Sequence, residues 1–305
     1  MKHVRQACRH AIHAFAVLLL GAFAFALAPA AAGTQAVPGS LYAELQALDD
    51  DPALPAAGRL AAMRLAYARA APDVMQPGDC AALPDARLQD LFDATALIAF
   101  YARDPATLAR LQCLYDTLQT RALATEDQHR AMRGALIALQ RFDAANALSA
   151  RLSKTPSALP EIRGTPLPGR PVLRLDSLAQ VERAVLAEDG LRVVAVVHPY
   201  CGFSRRALEA ITTAAEYAWL RDHLQLLVPI GQVWPGQEML DWNAAHPDLP
   251  MQPMVADPAW QDVETDQTPL FHLMRDGKVI DTVAGWPPEG ADLRALRAAL
   301  DDGTH

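Results

Sequence analysis

Cysteine is scarce in this sequence. There are four in 305 residues, Cys8, Cys80, Cys113 and Cys201, too few for a disulfide-rich scaffold. Basic stripes are missing as well, so nucleic-acid binding is not indicated. The nine histidines show no metal-ligand spacing: His3, His10 and His13 sit near the start and the others are far apart. No second apolar run is long enough to span a membrane, and no catalytic motif is present before residue 156. No cofactor is called for. With 51% hydrophobic and 20% charged residues, the chain is globular in composition and long enough for two domains.

The opening 36 residues read as an address. Lys2, Arg5 and Arg9 form a positive leader, Ala14 to Ala28 is apolar, and small residues follow from Ala28 to Gly33. That order is a secretory signal peptide cleaved between Ala30 and Ala36. An uncleaved anchor is the rival, but the run is 15 residues, short of the ~20 a spanning helix needs. No cysteine follows it to carry a lipid, and Cys8 leaves with the leader. Losing three basic residues moves the formal charge from −8 to −11. The expected mature protein is acidic, periplasmic, and without a membrane span. In that oxidising compartment two of Cys80, Cys113 and Cys201 are expected to pair.

Residues 37–155 have a helical pattern. Alanine is frequent, and apolar residues recur at spacings of three and four, as in Leu88, Leu91, Phe92, Ala96 and Ala99. Breakers are few: Pro52, Pro55, Pro72, Pro77-Gly78, Pro84 and Pro105. Asp104-Pro105 marks a helix start, and Thr125-Glu126-Asp127 another. Ala138, Phe142 and Ala145 have the small–aromatic–small spacing of a tetratricopeptide-like hairpin, but no 34-residue period repeats. A helical bundle and a tetratricopeptide-like array both fit. Cys80, in a loop, and Cys113, in a helix, would close a loop worth roughly 3.5–4 kcal/mol if joined. The functional alternative has one of them resolving a mixed disulfide on Cys201.

Pro156, Pro160, Pro166 and Pro168, with Gly164 and Gly169, make 156–170 a linker. From 171 the period changes. Val172–Leu175 reads as a strand, Ser177–Ala187 as an amphipathic helix capped by Ser177 or Asp176, and Leu191–Val197 as a strand buried on both faces. His198-Pro199-Tyr200 ends that strand and a helix starts at Cys201. Leu224–Ile230 is another buried strand, followed by a Pro-, Trp- and Asp-rich stretch to Gln267. Thr268-Pro269 leads into a hairpin of 270–274 and 279–283 turned by Asp276-Gly277, and a last helix spans 291–300.

This order, β-α-β-α-β-α-β-β-α, resembles the thioredoxin superfamily over some 130 residues, with the 68-residue interval from Cys201 to Pro269 closer to its exported relatives in cytochrome c maturation. The fold class expected is a thioredoxin-like α/β domain (171–305) after an all-helical one. The resemblance implies that Cys201 is the active-site thiol and that Thr268-Pro269 is a cis peptide against it. A thiol at a helix N-terminus faces unpaired N–H groups and the positive end of the dipole, so it is expected to ionise below the free value of ~8.5. Ser204, one turn on, is expected to donate a hydrogen bond to the sulfur. Arg205 and Arg206 either add positive potential or are plain helix surface, and His198 either acts on the thiol or is a loop histidine.

The pattern departs from the family in two places. The resolving cysteine is Ser204, so no internal disulfide can form. The family's buried carboxylate, six residues before the first cysteine, is Ala195. Both losses fit a thiol that forms mixed disulfides with a client protein's thiol or disulfide, released by glutathione, another thiol or another protein. The alternative is a redox-inert interaction module. Cys201-Gly202-Phe203-Ser204 also spells the motif of cluster-holding monothiol glutaredoxins, but their glycine pair after the cis-proline strand is missing. Trp234, Trp242, Trp260 and Trp286 are read as core or insert packing, with a peptide groove as the alternative.

Overall fold

The computed structural model describes residues 39–71, 79–288 and 290–303. The leader, with its signal-peptide assignment, and Pro72 and Pro77-Gly78 lie outside these residues. By contact density the described residues divide into two units, one within 39–159 together with 231–234, the other comprising 160–230 and 235–303.

The first unit is all helix: α1 (Leu41–Asp50), α2 (Ala56–Ala70), α3 (Asp85–Ala102), α4 (Pro105–Thr120), α5 (Glu126–Ala138) and α6 (Phe142–Ser149). The ends carry local caps. The Asp104 carboxylate accepts the Thr107 N–H at 2.8 Å, with Pro105 at the first helical position, where a missing N–H costs nothing. Thr125 and Gln128 form a reciprocal capping box at the start of α5, with Glu126 and Asp127 at the positive end of the dipole. Leu88, Leu91 and Phe92 are fully buried, as the three-and-four spacing requires. The sulfurs of Cys80 and Cys113 stand at disulfide distance, 2.08 Å. Cys80 lies in a single 3₁₀ turn, Asp79–Ala82, where a loop was expected. Trp234 packs edge-on against Phe142, with ring centres 5.0 Å apart. Gln232 sits where a Cβ on Gly134 would fall 2.8 Å from its own Cβ. Part of the Trp-rich stretch therefore belongs to the helical unit.

The second unit has two sheets. A three-stranded one, in the order β1-β3-β2, comprises β1 (Glu161–Arg163), β2 (Pro171–Leu175) and β3 (Gln180–Val185). This corrects two sequence expectations. The Ser177–Ala187 helix is the strand β3, pairing antiparallel to β2 and parallel to β1. Ser177 serves a turn instead of a helix cap, its hydroxyl oxygen accepting the N–H groups of Ala179 (3.2 Å) and Gln180 (3.1 Å). Pairing on both edges decides the conformation of a short segment whose apolar spacing suits either state. The proline-rich linker supplies β1. At its end Arg170 is clamped: it donates to Glu188 (2.9 Å), to both carboxylate oxygens of Asp262 (2.8 Å each), and to the carbonyls of Ala259 (2.7 Å) and Gly277 (2.6 Å). Its guanidinium also lies over the Trp260 ring.

The five-stranded sheet runs β6-β5-β4-β7-β8, made from β4 (Leu191–Val196), β5 (Leu224–Val228), β6 (Met251–Pro253), β7 (Leu270–Arg275) and β8 (Lys278–Ala284). β4, β5 and β6 are parallel, while β7 is antiparallel to both β4 and β8. β4 sits at the centre, with Val193 to Val197 at most 1% exposed. Val194 and Val196 join a core with Val172, Leu227, Trp260, Leu270 and Met274. Among the described residues of this unit the α-helices are α7 (Gly202–Thr213), α8 (Ala218–Arg221), α9 (Gly236–Ala245) and α10 (Arg294–Gly303). α7 turns Ala207, Leu208 and Ile211 inward, and α10 packs on β4. Asp276 (φ 48°) and Gly277 (φ 75°) both have positive φ at the hairpin turn, the requirement of a type I′ connection. Helices on a mixed sheet in this order are compatible with a thioredoxin-like α/β fold.

Candidate functional site

The site forms where β4 gives way to α7. Val197 N–H still bonds to the Leu227 carbonyl (2.9 Å), after which the chain turns, with Cys201 N–H on the His198 carbonyl at 2.9 Å. Arg205 N–H then reaches the Cys201 carbonyl at 3.0 Å and opens the helix. Cys201 is the N-cap residue, extended at φ −82° and ψ 118°. Its thiol is half-buried and is not part of a disulfide.

Across from it, Thr268-Pro269 is a cis peptide. The Cys201 thiol donates to the Thr268 carbonyl over 3.3 Å. Two opposed influences therefore meet at the sulfur. The carbonyl contact favours S–H, whereas the helix N-terminus favours thiolate. Pro269 is buried, and its carbonyl accepts the Gly285 N–H at 2.8 Å, tying the cis turn to the end of β8.

Ser204 is fully buried. Its hydroxyl oxygen accepts the His198 N–H at 3.2 Å, bracing the turn from inside, a role not foreseen from its spacing to Cys201. His198 Nδ1 accepts the Tyr200 N–H at 3.3 Å, which occupies that ring nitrogen locally. Arg206 lies over the Phe203 ring at 4.5 Å, keeping its charge beside the first turn of α7. Ala195 is fully buried in β4, so its place in the apolar strand holds no carboxylate.

Sequence reasoning missed Glu238. This carboxylate on α9 lies near enough to Tyr200 to act on its phenol. Burial first, and then Glu238, push the Tyr200 phenol up to about 12. Nothing in the sequence joins two residues 38 positions apart on different elements. Half of the Tyr200 surface remains exposed next to the thiol.

No family model matches the chain, and no curated protein matches it. Among solved structures, it is similar to a thioredoxin-like protein from Bacteroides caccae at 13% identity, covering 84% of this chain and 87% of that one, with a TM-score of 0.28. Among the described residues, no helix is long and apolar enough to cross a membrane.

Proposed function

We propose that this is a periplasmic protein, exported by a leader in residues 1–36, whose C-terminal domain (171–305) is thioredoxin-like and exchanges disulfides through the single thiol of Cys201. The observation that carries the reading is the Cys201 sulfur at the N-cap of α7, 3.3 Å from the carbonyl of the cis Thr268-Pro269 turn. Cys201 thiolate attacks one sulfur of a client disulfide. A bond forms between Cys201 and that sulfur, the client S–S bond breaks, and the other client sulfur leaves as thiolate and takes a proton from water. Ser204 cannot expel the bound client, so a second thiol, of glutathione or of a protein, attacks the mixed disulfide and returns Cys201 as thiolate. The helical residues 37–155 hold this domain or contact the client, and the 156–170 segment joins the two while giving β1 to the sheet of the second.

The test is adduct formation. Purified protein with its Cys80–Cys113 pair intact is incubated with oxidised glutathione or a disulfide-bonded polypeptide, quenched in acid and mapped by mass spectrometry. The expected adduct is confined to Cys201 and is absent from Cys201→Ala. A protein that forms none at neutral pH, while remaining folded, is a redox-inert interaction module instead.

A further inference from the structure

After β6, residues 258–267 form a strap that leads into the cis Thr268-Pro269 turn. In its first half Trp260 Nε1 donates to the Pro171 carbonyl at 3.1 Å, Arg170 grips Ala259 and Asp262, and Val263 is buried. Its second half is tied by His272 of β7, which is 1% exposed. Nε2 of that ring lies 2.9 Å from the Glu264 carbonyl, and Nδ1 lies 2.9 Å from the Thr282 hydroxyl in β8. A carbonyl only accepts, so Nε2 carries the proton of the neutral ring and Nδ1 accepts from Thr282. One buried histidine thus joins the strap to the β7–β8 hairpin.

The ring serves both segments best when it is uncharged. A second proton, on Nδ1, would turn the Thr282 hydroxyl round and leave a cation in the core. Burial pushes the ring below the ordinary 6.5; Arg170 acts in the same direction, and the Glu264 carbonyl and the carboxylates of Glu264 and Asp262 act against it. Its register partners, Val194 in β4 and Thr282 in β8, carry no charge. We propose that His272 is an acid-sensitive latch: uncharged, it holds the strap to the hairpin, and charged, it releases the segment that leads into the cis turn facing Cys201. When the strap opens, the ring meets water and takes a proton at the ordinary value. The opened state therefore binds more protons than the closed one below about pH 6.5, and acid favours opening by up to about tenfold per pH unit until the buried ring itself titrates. Asp262 stays ionised across that window, because its hydrogen bond from Arg170 holds its carboxyl below the usual 3.8. The latch is independent of the redox reading, since neither Cys201 nor a client takes part in it.

Amide hydrogen exchange of the purified protein from about pH 7 to about pH 5, corrected for the chemical exchange rate, tests this. The probes are Trp260, Gln261 and Val263, whose N–H groups bond within the strap, and the amides of 264–268. Their protection should fall at least about fivefold in the parent. It should stay level in His272→Gln, whose side-chain amide can donate to the same carbonyl but cannot take a charge. Should that variant fold poorly, the parent alone decides: the His272 ring resonances, assigned through their contacts with Thr282, should titrate below 6.5. Constant protection in the parent, an equal loss in a folded His272→Gln, or a ring that titrates at or above 6.5 overturns the latch.

Discussion

Breaking the Cys80–Cys113 link should cost the helical unit a calculable amount. The two cysteines are 33 residues apart in sequence. On the chain-entropy relation, ΔS ≈ −2.1 − 1.5R ln n, a loop of that length gives about 12.5 cal/mol/K, or about 3.7 kcal/mol at 25 °C. Cys80 is 1% exposed, so Cys80→Ala adds a small packing loss, whereas Cys113→Ser tests the link from a half-buried position. The bond fastens the Asp79–Ala82 turn to α4, and Arg121 reinforces it by donating to the carbonyls of Ala81 (2.7 Å) and Leu83 (2.7 Å). A domain of this size loses roughly 4 °C of melting midpoint per kcal/mol, so the expected drop is roughly 15 °C. Circular dichroism at 222 nm follows the helical unit, and mass spectrometry of a non-reduced digest checks that the parent carries one linked peptide pair. With two units, melting is analysed as two transitions. A loss below about 1 kcal/mol, or a parent whose two thiols are free, refutes the staple.

Three other perturbations follow from the geometry. Ser204→Cys places a thiol one turn from Cys201, where Cβ atoms about 5–6 Å apart need modest closure to reach the ~3.8 Å of a disulfide; it should form an internal disulfide in glutathione buffer and reduce insulin with dithiothreitol faster than the parent, and two persistently free thiols would contradict a family-like turn. Burial above all, with the negative charges of Asp90 and Asp127 and against the opposing influence of Gln128, raises the Asp93 carboxyl from 3.8 to about 6. A carboxyl raised on folding binds more protons in the native state, so stability falls as pH rises from about 4 to about 6. Asp93→Asn should flatten that fall in urea titrations, and an unchanged pH profile counts against it. Arg170→Met removes the clamp between β2, β3 and the β7–β8 turn. The expected cost is about 2–3 kcal/mol by denaturant melting, below the 3–5 of fully buried pairs because Asp262 is partly exposed; a loss under about 0.5 kcal/mol would show the clamp to be dispensable.

Local signals carried much of the architecture. Asp104-Pro105 and Thr125 start helices because their caps act within four residues. The valine-rich run 191–197 is a central strand because a nearly unbroken apolar, β-branched run suits a strand covered on both faces and paired on both edges. Asp276-Gly277 turns the hairpin because both positions need positive φ. What stayed hidden depends on partners distant in sequence. β3 is decided by its pairing with β1 and β2, not by its own spacing of Leu178, Val181 and Leu186. Arg170 reads as one more linker residue until Asp262 and Gly277 meet it from 92 and 107 positions away. The spacing of Cys201 and Ser204 suggested a hydroxyl aimed at the sulfur, but the strand-to-helix turn leaves the His198 N–H for Ser204 to accept. Glu238 and the seating of Trp234 on Phe142 belong to the same class.

The most direct test of the central claim is the ionisation of the Cys201 thiol, because the helix N-terminus and the Thr268 carbonyl pull it in opposite directions. Iodoacetamide alkylation rates, measured from pH 4 to pH 10 on protein with Cys80 and Cys113 joined, report that thiol alone. A midpoint below the ~8.5 of a free thiol is the result expected of a nucleophile. A midpoint at or above that value would mean that the carbonyl contact prevails, and Cys201 would not be a thiol–disulfide exchange residue.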